Sequence, residues 1–260
     1  MTDLFSLTGR TALVTGGSRG IGFAIATEML RAGARVIICA RREDELAAAA
    51  EQLAELGEVE TVVADLSSVA GVDALVAAVA ERVDALHVLV NNAGTTWGAP
   101  VDAFPEDGWD KVMALNVKAL HYLTAGLLPL LRAGASDDDT ARVINIGSID
   151  GLMAPMMDNY AYAASKAAVD QLTRHYSRRL APERILVNTI APGLFPSKMS
   201  AFIIETPELA DLATSTIPVG RPGRPEEIGG TAVWLASRAG GYTTGATIVV
   251  DGGSLGAARG

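Results

Sequence analysis

Tyr162 and Lys166 hold a phenol and an ammonium four residues apart in the run Tyr162-Ala163-Ala164-Ser165-Lys166. In a helix of about 3.6 residues per turn that spacing stacks both side chains on one face, where a fixed cation favours phenolate and prepares a proton donor. The pair alone is weak, because a core tyrosine and a solvated lysine often fall at this separation. Its weight depends on whether the rest of the chain builds a site around it.

A second chemical signal lies near the N-terminus, where Thr11–Thr15 reads as a strand and runs into Thr15-Gly16-Gly17-Ser18-Arg19-Gly20-Ile21-Gly22 ahead of a helical pattern. Glycines there let the backbone turn sharply and bring its N–H groups to a pyrophosphate at the helix N-terminus, where the dipole favours anions. Gly16, Ser18, Arg19, Gly20, Ile21 and Gly22 are the expected contacts. An acidic residue about 20 positions beyond such glycines binds a ribose 2′-hydroxyl, whereas arginine accommodates a 2′-phosphate. Here Arg41 and Arg42 follow the second strand and Arg19 adds a third cation, so NADP(H) is expected over NAD(H). The competing role for Arg41 and Arg42 is to pair with Glu43, Asp44 or Glu45 on an exposed turn. Asp65 and Leu66, after the third strand, are expected on the adenine side, although Asp65 suits a helix cap as well. Asn92, Ala93 and Gly94, after the fourth strand, permit close backbone approach at the edge where ligands of such sheets bind.

These groups need a scaffold, and β-branched runs alternating with Ala/Leu-rich amphipathic runs supply one. Strands are expected at Thr11–Thr15, Arg35–Ala40, Val59–Ala64, His87–Val90, Arg142–Ile146, Ile185–Ile190 and Thr247–Val250. Helices are expected at Ile21–Arg31, Asp44–Leu56, Val69–Val83, Pro105–Leu131, Ala161–Leu180 and Pro225–Leu235. That order predicts one α/β domain over 1–260, a doubly wound Rossmann-type fold with a seven-stranded parallel sheet and helices on both faces. Ser136-Asp137-Asp138-Asp139 reads as a solvated loop, and the long segment from Gly193 to Pro218 as an apolar lid over substrate.

At 260 residues and 49% hydrophobic, the chain can bury a sizeable core without disulfides, and Cys39 is its only cysteine. A net charge of −9 disfavours nucleic-acid and anionic-membrane partners. No secretory leader and no unbroken apolar run of roughly 18 residues is seen, which leads to the expectation of a soluble cytoplasmic protein. His87, His121 and His175 lack metal-ligand spacing, so no metal is expected.

With Thr15–Gly22, Asn91–Gly94, Asn116, Ser148, Tyr162, Lys166 and Pro192-Gly193 in this order, the sequence resembles the short-chain dehydrogenase/reductase family along essentially its whole length. Within it, Thr15–Gly22, Asn91–Trp97, Arg142–Ser148 and Ala191–Met199 are most similar to NADPH-dependent 3-oxoacyl reductases, including the rhamnolipid-associated type. The resemblance implies a catalytic tetrad of Asn116, Ser148, Tyr162 and Lys166. Hydride addition to a ketone puts negative charge on oxygen, which calls for an acid and a hydrogen-bond donor there. Tyr162 would be the acid, lowered from its usual value of about 10 by Lys166, with Ser148 polarising the carbonyl. The resemblance further implies that Asn116 holds a water connecting Lys166 to solvent and that Lys166 also bonds the nicotinamide ribose. The resemblance implies Tyr162, Lys166, Pro192 and Gly193 as further cofactor contacts, and Ser197 stands where the family often has a threonine for the nicotinamide carboxamide.

Leu194-Phe195, Phe202-Ile203-Ile204, Trp97, Met153, Met156 and Met157 would line an apolar pocket suited to an acyl chain, with Tyr160 as a wall. Arg174, Arg178 and Arg179 are candidates to meet an acidic carrier protein, or simply cations at a helix end. The resemblance implies a homotetramer or homodimer. The expected reaction is reduction of a 3-oxoacyl thioester or similar hydrophobic ketone by NADPH. The alternatives are an alcohol or sugar-acid dehydrogenase of the same family, and a dinucleotide-binding regulator without turnover.

Overall fold

The computed structural model describes residues 4–257. Its strands are β1 (Thr11–Thr15), β2 (Arg35–Ala40), β3 (Val59–Val63), β4 (Val88–Asn91), β5 (Ala141–Ile146), β6 (Ile185–Pro192) and β7 (Thr247–Val250). The helices are α1 (Gly20–Arg31), α2 (Glu43–Ala54), α3 (Val69–Ala80), α4 (Glu106–Met113), α5 (Leu120–Ala133) and α6 (Tyr160–Leu180), followed by α7 (Ala201–Ile204), α8 (Pro207–Ser215), α9 (Pro225–Ala236) and α10 (Ser254–Ala257).

All pairings are parallel and the strand order is β3-β2-β1-β4-β5-β6-β7, so direction of travel reverses between β1 and β4. Beside that reversal the first crossover goes one way and the later ones the other, which opens a crevice at the carboxyl ends of the strands. The strands alternate between two cores as the pleat requires. Ala12, Val14, Val36, Ile38, Val88 and Val90 enter the core beneath α1, α2 and α9, whereas Leu13, Ile37, Cys39 and Leu89 enter the one beneath α3 and α5. Every residue of β4, β5 and β6 is buried, the expected state of parallel strands covered on both faces, while edge strands β3 and β7 are partly exposed.

Two expectations change. The helix predicted over 105–131 is interrupted by a π turn at Ala114–Ala119, so α4 and α5 are two segments of one rod. Asn116 lies in the widened turn with its amide bonded outside the helix, which gives the local widening a cause. The loop at 136–139 is not merely solvated, because Asp139 pairs with the buried Arg10 and Asp137 pairs with Arg184. The segment after β6 contains α7 and α8, and its ends are held, since Phe195 and Ile217 are buried and the Val219 N–H donates to Gly252 O (3.1 Å).

Among the described residues, one helical run, Glu106–Ala133, is long and apolar enough to cross a membrane by length and composition. Its stripe Leu120, Leu123, Leu127 and Leu131 is buried against the sheet instead.

Candidate active site

The glycine turn after β1 is built by contacts that leave no room for side chains. A Cβ on Gly22 would lie 2.3 Å from Gly16 O and 2.5 Å from Asn92 Nδ2, and Gly16 and Gly20 adopt positive φ of 64° and 57°. Asn92 is what closes this space: its Nδ2 donates to Thr15 O (2.8 Å) and Gly16 O (3.2 Å), strapping the turn to the end of β4. The Thr15 hydroxyl accepts from the N–H groups of Asn92 and Ala93, both at 2.9 Å. The side chain of Asn92 is therefore committed to holding the loop. No side chain caps the amino end of α1, and its first turn carries no acid, so its free N–H groups suit an anionic ligand. Ser18 and Ile21 are half-buried beside it. Ser197 closes the turn from the far side, since a Cβ on Gly20 would be 3.3 Å from Ser197 Cβ.

The three expected arginines separate. Arg42 pairs with Asp44 (2.9 Å) and Glu45 (3.2 Å), and Arg19 pairs with Glu45 (2.6 Å), as the competing role anticipated. Arg41 is exposed and makes no ion pair among the described residues. It lies near Asp65, whose carboxyl is lowered chiefly by the Ser67 N–H, with Arg41 adding to the effect. Asp65 thus serves as a turn residue, while Ser68 caps α3. Leu66 turns its side chain into the core, which leaves only its backbone for a cofactor. Gly193 packs on the end of β7, where a Cβ would be 2.8 Å from Asp251 Cα, and its N–H donates to Val250 O. Pro192 beside it is buried as the last residue of β6. An uncapped helix end, a turn without side chains and a free arginine at the tip of β2 fit a phosphorylated dinucleotide.

Across the switch point, Ser148, Tyr162, Lys166 and Asn116 converge as expected. Lys166 is buried (5% exposed), donates to Ile146 O (2.7 Å) and holds its Nζ 5.5 Å from the centroid of the Tyr162 ring. Burial lowers the ammonium to about 8, partly opposed by Asp170. Burial likewise pushes the Tyr162 phenol up to about 12, with the Ser148 hydroxyl pulling it down and the Asp150 charge raising it. The expected fall of the phenol below 10 is thus not present in this state. Desolvation dominates, and the ammonium is bonded to the Ile146 carbonyl, so the phenol is held neutral. The Ser148 hydroxyl accepts from the Asp150 N–H (3.1 Å), leaving its proton free to donate.

Asn116 is 3% exposed and fully engaged. Its Oδ1 accepts from Thr95 N (2.8 Å), and its Nδ2 donates to Thr95 O (2.9 Å) and Ser165 Oγ (2.9 Å). It ties the loop after β4 to α6, a positioning role that the side chain fulfils by itself.

Other polar groups were missed. Asn91 Nδ2 donates to Asn145 Oδ1 (2.8 Å), Asn145 Nδ2 to Thr173 Oγ1 (2.8 Å), and Thr173 meets Thr189 (2.8 Å), forming a ladder across β4, β5, α6 and β6 beneath the site. The available signal was an asparagine inside the apolar run Val143-Ile144-Asn145-Ile146. Asp150 and Asn159 join at 2.9 Å beside Ser148 and Tyr162.

The expected apolar lining does not assemble as a whole. Phe195 packs in the core against Gly223, and Trp97 lies on Gly108 with Lys111 over its ring at 5.3 Å. Met156 is 91% exposed, and Met157 and Phe202 are half exposed. The side chain of Ile203 lies outside the described residues. Tyr160 lines an open pocket of about 310 Å³ with Val101, Phe104, Pro105, Glu106 and Trp109, a pocket whose lining includes none of Ser148, Tyr162 and Lys166. Arg178 and Arg179 end α6 roughly 24 Å from Tyr162 at about 1.5 Å per residue, at the opposite edge of the sheet, so they do not face the site mouth. Among the described residues, no cluster of three or more His, Cys, Asp or Glu side chains gathers as metal ligands.

A seven-stranded doubly wound sheet with a glycine turn on one side of its switch point and a half-buried phenol over a buried ammonium on the other defines a dinucleotide-dependent oxidoreductase. Residues 16–254 match the family described as enoyl-(acyl carrier protein) reductase. The chain is 50% identical over 253 residues to the rhamnolipids biosynthesis 3-oxoacyl-[acyl-carrier-protein] reductase of Pseudomonas aeruginosa, covering 97% of this chain and 99% of that one. The solved Pseudomonas aeruginosa RhlG/NADP active-site complex superposes with a TM-score of 0.96 at 50% identity, over 98% of this chain and 100% of that one. The 5-keto-D-gluconate 5-reductase of Escherichia coli K12 is 35% identical over 258 residues, covering 98% of this chain and 99% of that one. The chain belongs to the short-chain dehydrogenase/reductase family.

Proposed function

We propose that this protein reduces the keto group of a 3-oxoacyl thioester, or a similar hydrophobic ketone, to a secondary alcohol. NADPH supplies the hydride when bound. The half-buried, neutral Tyr162 phenol beside the Ser148 hydroxyl carries the proposal, because it stores a proton where a carbonyl oxygen gathers charge. Ser148 donates to that oxygen, Tyr162 delivers the proton, and Lys166 holds positive charge beneath the phenolate that results. Asn116 holds α6 against the β4 loop so that these groups stay in register. Gly16, Ser18, Gly20, Ile21 and Gly22 receive the pyrophosphate, Arg41 the 2′-phosphate, Asp65 and the Leu66 backbone the adenine side, and Ala93, Gly94, Pro192, Gly193 and Ser197 the nicotinamide side.

The 3-oxoacyl substrate class is supported by the 50% identity to the rhamnolipid-pathway reductase, against 35% to the keto-gluconate reductase. The segment from Gly193 to Pro218 acts as the lid of a single domain over 1–260, and the thioester is carried by coenzyme A or an acyl carrier protein. We also infer assembly into a homodimer or homotetramer through α4, α5 and α6, supported by Trp109 and Tyr122, exposed at 41% and 43% on α4 and α5. Light scattering of the purified protein tests the assembly, a monomer being the contrary result. Residence in the cytoplasm suits the reduced, buried Cys39. The test of activity is NADPH oxidation with 3-oxoacyl thioesters on both carriers and with 5-keto-gluconate. Turnover of the thioesters is expected, and turnover of keto-gluconate alone would refute the substrate class.

A further inference from the structure

The turn that orients Ser148 also carries a carboxylate that proton transfer does not require. Asp150 lies two residues beyond Ser148, in the 3₁₀ turn Ile149–Gly151, and its N–H donates to Ser148 Oγ (3.1 Å). Gly151 presses this turn onto α6: a Cβ there would be 2.7 Å from the Ala167 nitrogen and from the Lys166 carbonyl carbon, so the turn has no room to shift from the helix that bears Tyr162 and Lys166. The side chain is fixed as well. Asp150 Oδ2 accepts from Asn159 Nδ2 (2.9 Å), and Asn159, only 6% exposed, is the residue immediately before α6. Asn159 Oδ1 is buried without a hydrogen-bond partner, so the Asp150 contact is the one that orients this amide. The backbone of the same residue starts the helix, its carbonyl accepting from Ala163 N (3.0 Å). Asp150 therefore bridges the Ser148 turn and the first residues of α6, half-buried and near enough for its charge to act on the Tyr162 phenol.

We propose that Asp150 is a specificity-determining residue: its carboxylate, pinned by Asn159 on the turn that carries Ser148, excludes ketones bearing an anionic group beside the reacting carbonyl and admits neutral ones such as acyl thioesters. A fixed like charge in a partly dry cleft repels strongly, and discrimination through repulsion needs no extra contact with the favoured substrate. This accounts for how a chain related both to a 3-oxoacyl reductase and to a keto-gluconate reductase would select between neutral thioester and sugar-acid ketone. It rests on the reduction proposed above.

The test compares 3-oxobutanoate with its methyl ester, two ketones of nearly the same shape that differ by one charge, with saturating NADPH. In Asp150→Asn the carboxamide oxygen still accepts from Asn159 while the charge is gone. The ester-to-acid ratio of kcat/KM is expected to be high in the wild type and to fall by about tenfold or more in the variant. Because both substrates are measured on one preparation, the ratio does not depend on the fraction of variant that folds. A ratio unchanged within about twofold overturns the assignment and leaves the reduction standing. If the wild type reduces neither the ester nor any 3-oxoacyl thioester, the reduction fails and Asp150's role fails with it.

Discussion

The two sides of the switch point are built by opposite means. On the cofactor side, side chains are removed: Gly22 faces Gly16 O and Asn92 at distances that exclude a Cβ, and α1 begins without a capping side chain. On the catalytic side, titratable side chains are driven out of water: Lys166 falls to about 8 and Tyr162 rises to about 12, both chiefly through burial. Steric room specifies the first region and desolvation the second, so the two should fail differently when perturbed.

The largest expected effect is on turnover. Tyr162→Phe removes the phenol beside Ser148 and is expected to lower kcat by about 10³-fold or more, while NADPH affinity measured by fluorescence titration changes little. Retained activity would refute the role given to the phenol. Next, Gly22→Ala should cost about 2–3 kcal/mol of stability in urea melts and abolish NADPH binding, because backbone and Asn92 must both move to admit the methyl group. Full binding by that variant would show that steric exclusion does not shape the cofactor side.

A smaller effect separates the two arginines at the tip of β2. Arg41→Ala should raise the KM for NADPH about tenfold relative to NADH, whereas Arg42→Ala, whose partners Asp44 and Glu45 already hold it, should change the ratio about threefold or less. Equal effects would contradict the separation seen here.

The smallest is a pH dependence of stability. An unfolded lysine keeps its proton to about 10.5 and folded Lys166 only to about 8, so Lys166 makes stability rise with pH between these values, offset from about 9 by Cys39, whose buried thiol is pushed up to about 12 and keeps its proton in the folded chain. Above about 10 stability falls with pH, because unfolded tyrosine ionises there whereas folded Tyr162 and Tyr176 ionise near 12, adding to the effect of Cys39. In Lys166→Met the rise between 8 and 10.5 should shrink in urea midpoints taken across that range, and an unaltered slope would place the effect elsewhere.

Much of this was legible in the chain because it depends on local spacing. Strand and helix periods, the glycines before Ile21, and Tyr162 four residues from Lys166 each follow from backbone geometry that any helix or strand obeys. Less legible were contacts made across the sheet. Nothing adjacent to Asn92 indicates that its amide would strap Thr15 and Gly16, nor does the apolar look of Phe195 say whether it faces a ligand or the core. The run around Asn116 reads as plain helix, and only its bonds to Thr95 and Ser165 explain the π turn.

By itself the sequence determined which groups exist, their order along a doubly wound sheet, and the pairing of phenol and ammonium on one helical face, since those depend on neighbours a few residues apart. Tertiary structure decided which charges remain free, as with Arg41 against Arg42 and Arg19, and which groups lose water, as with Lys166, Tyr162 and Asp150. Ion pairing and desolvation depend on everything packed around a group, and that surrounding is assembled from elements distant in the chain.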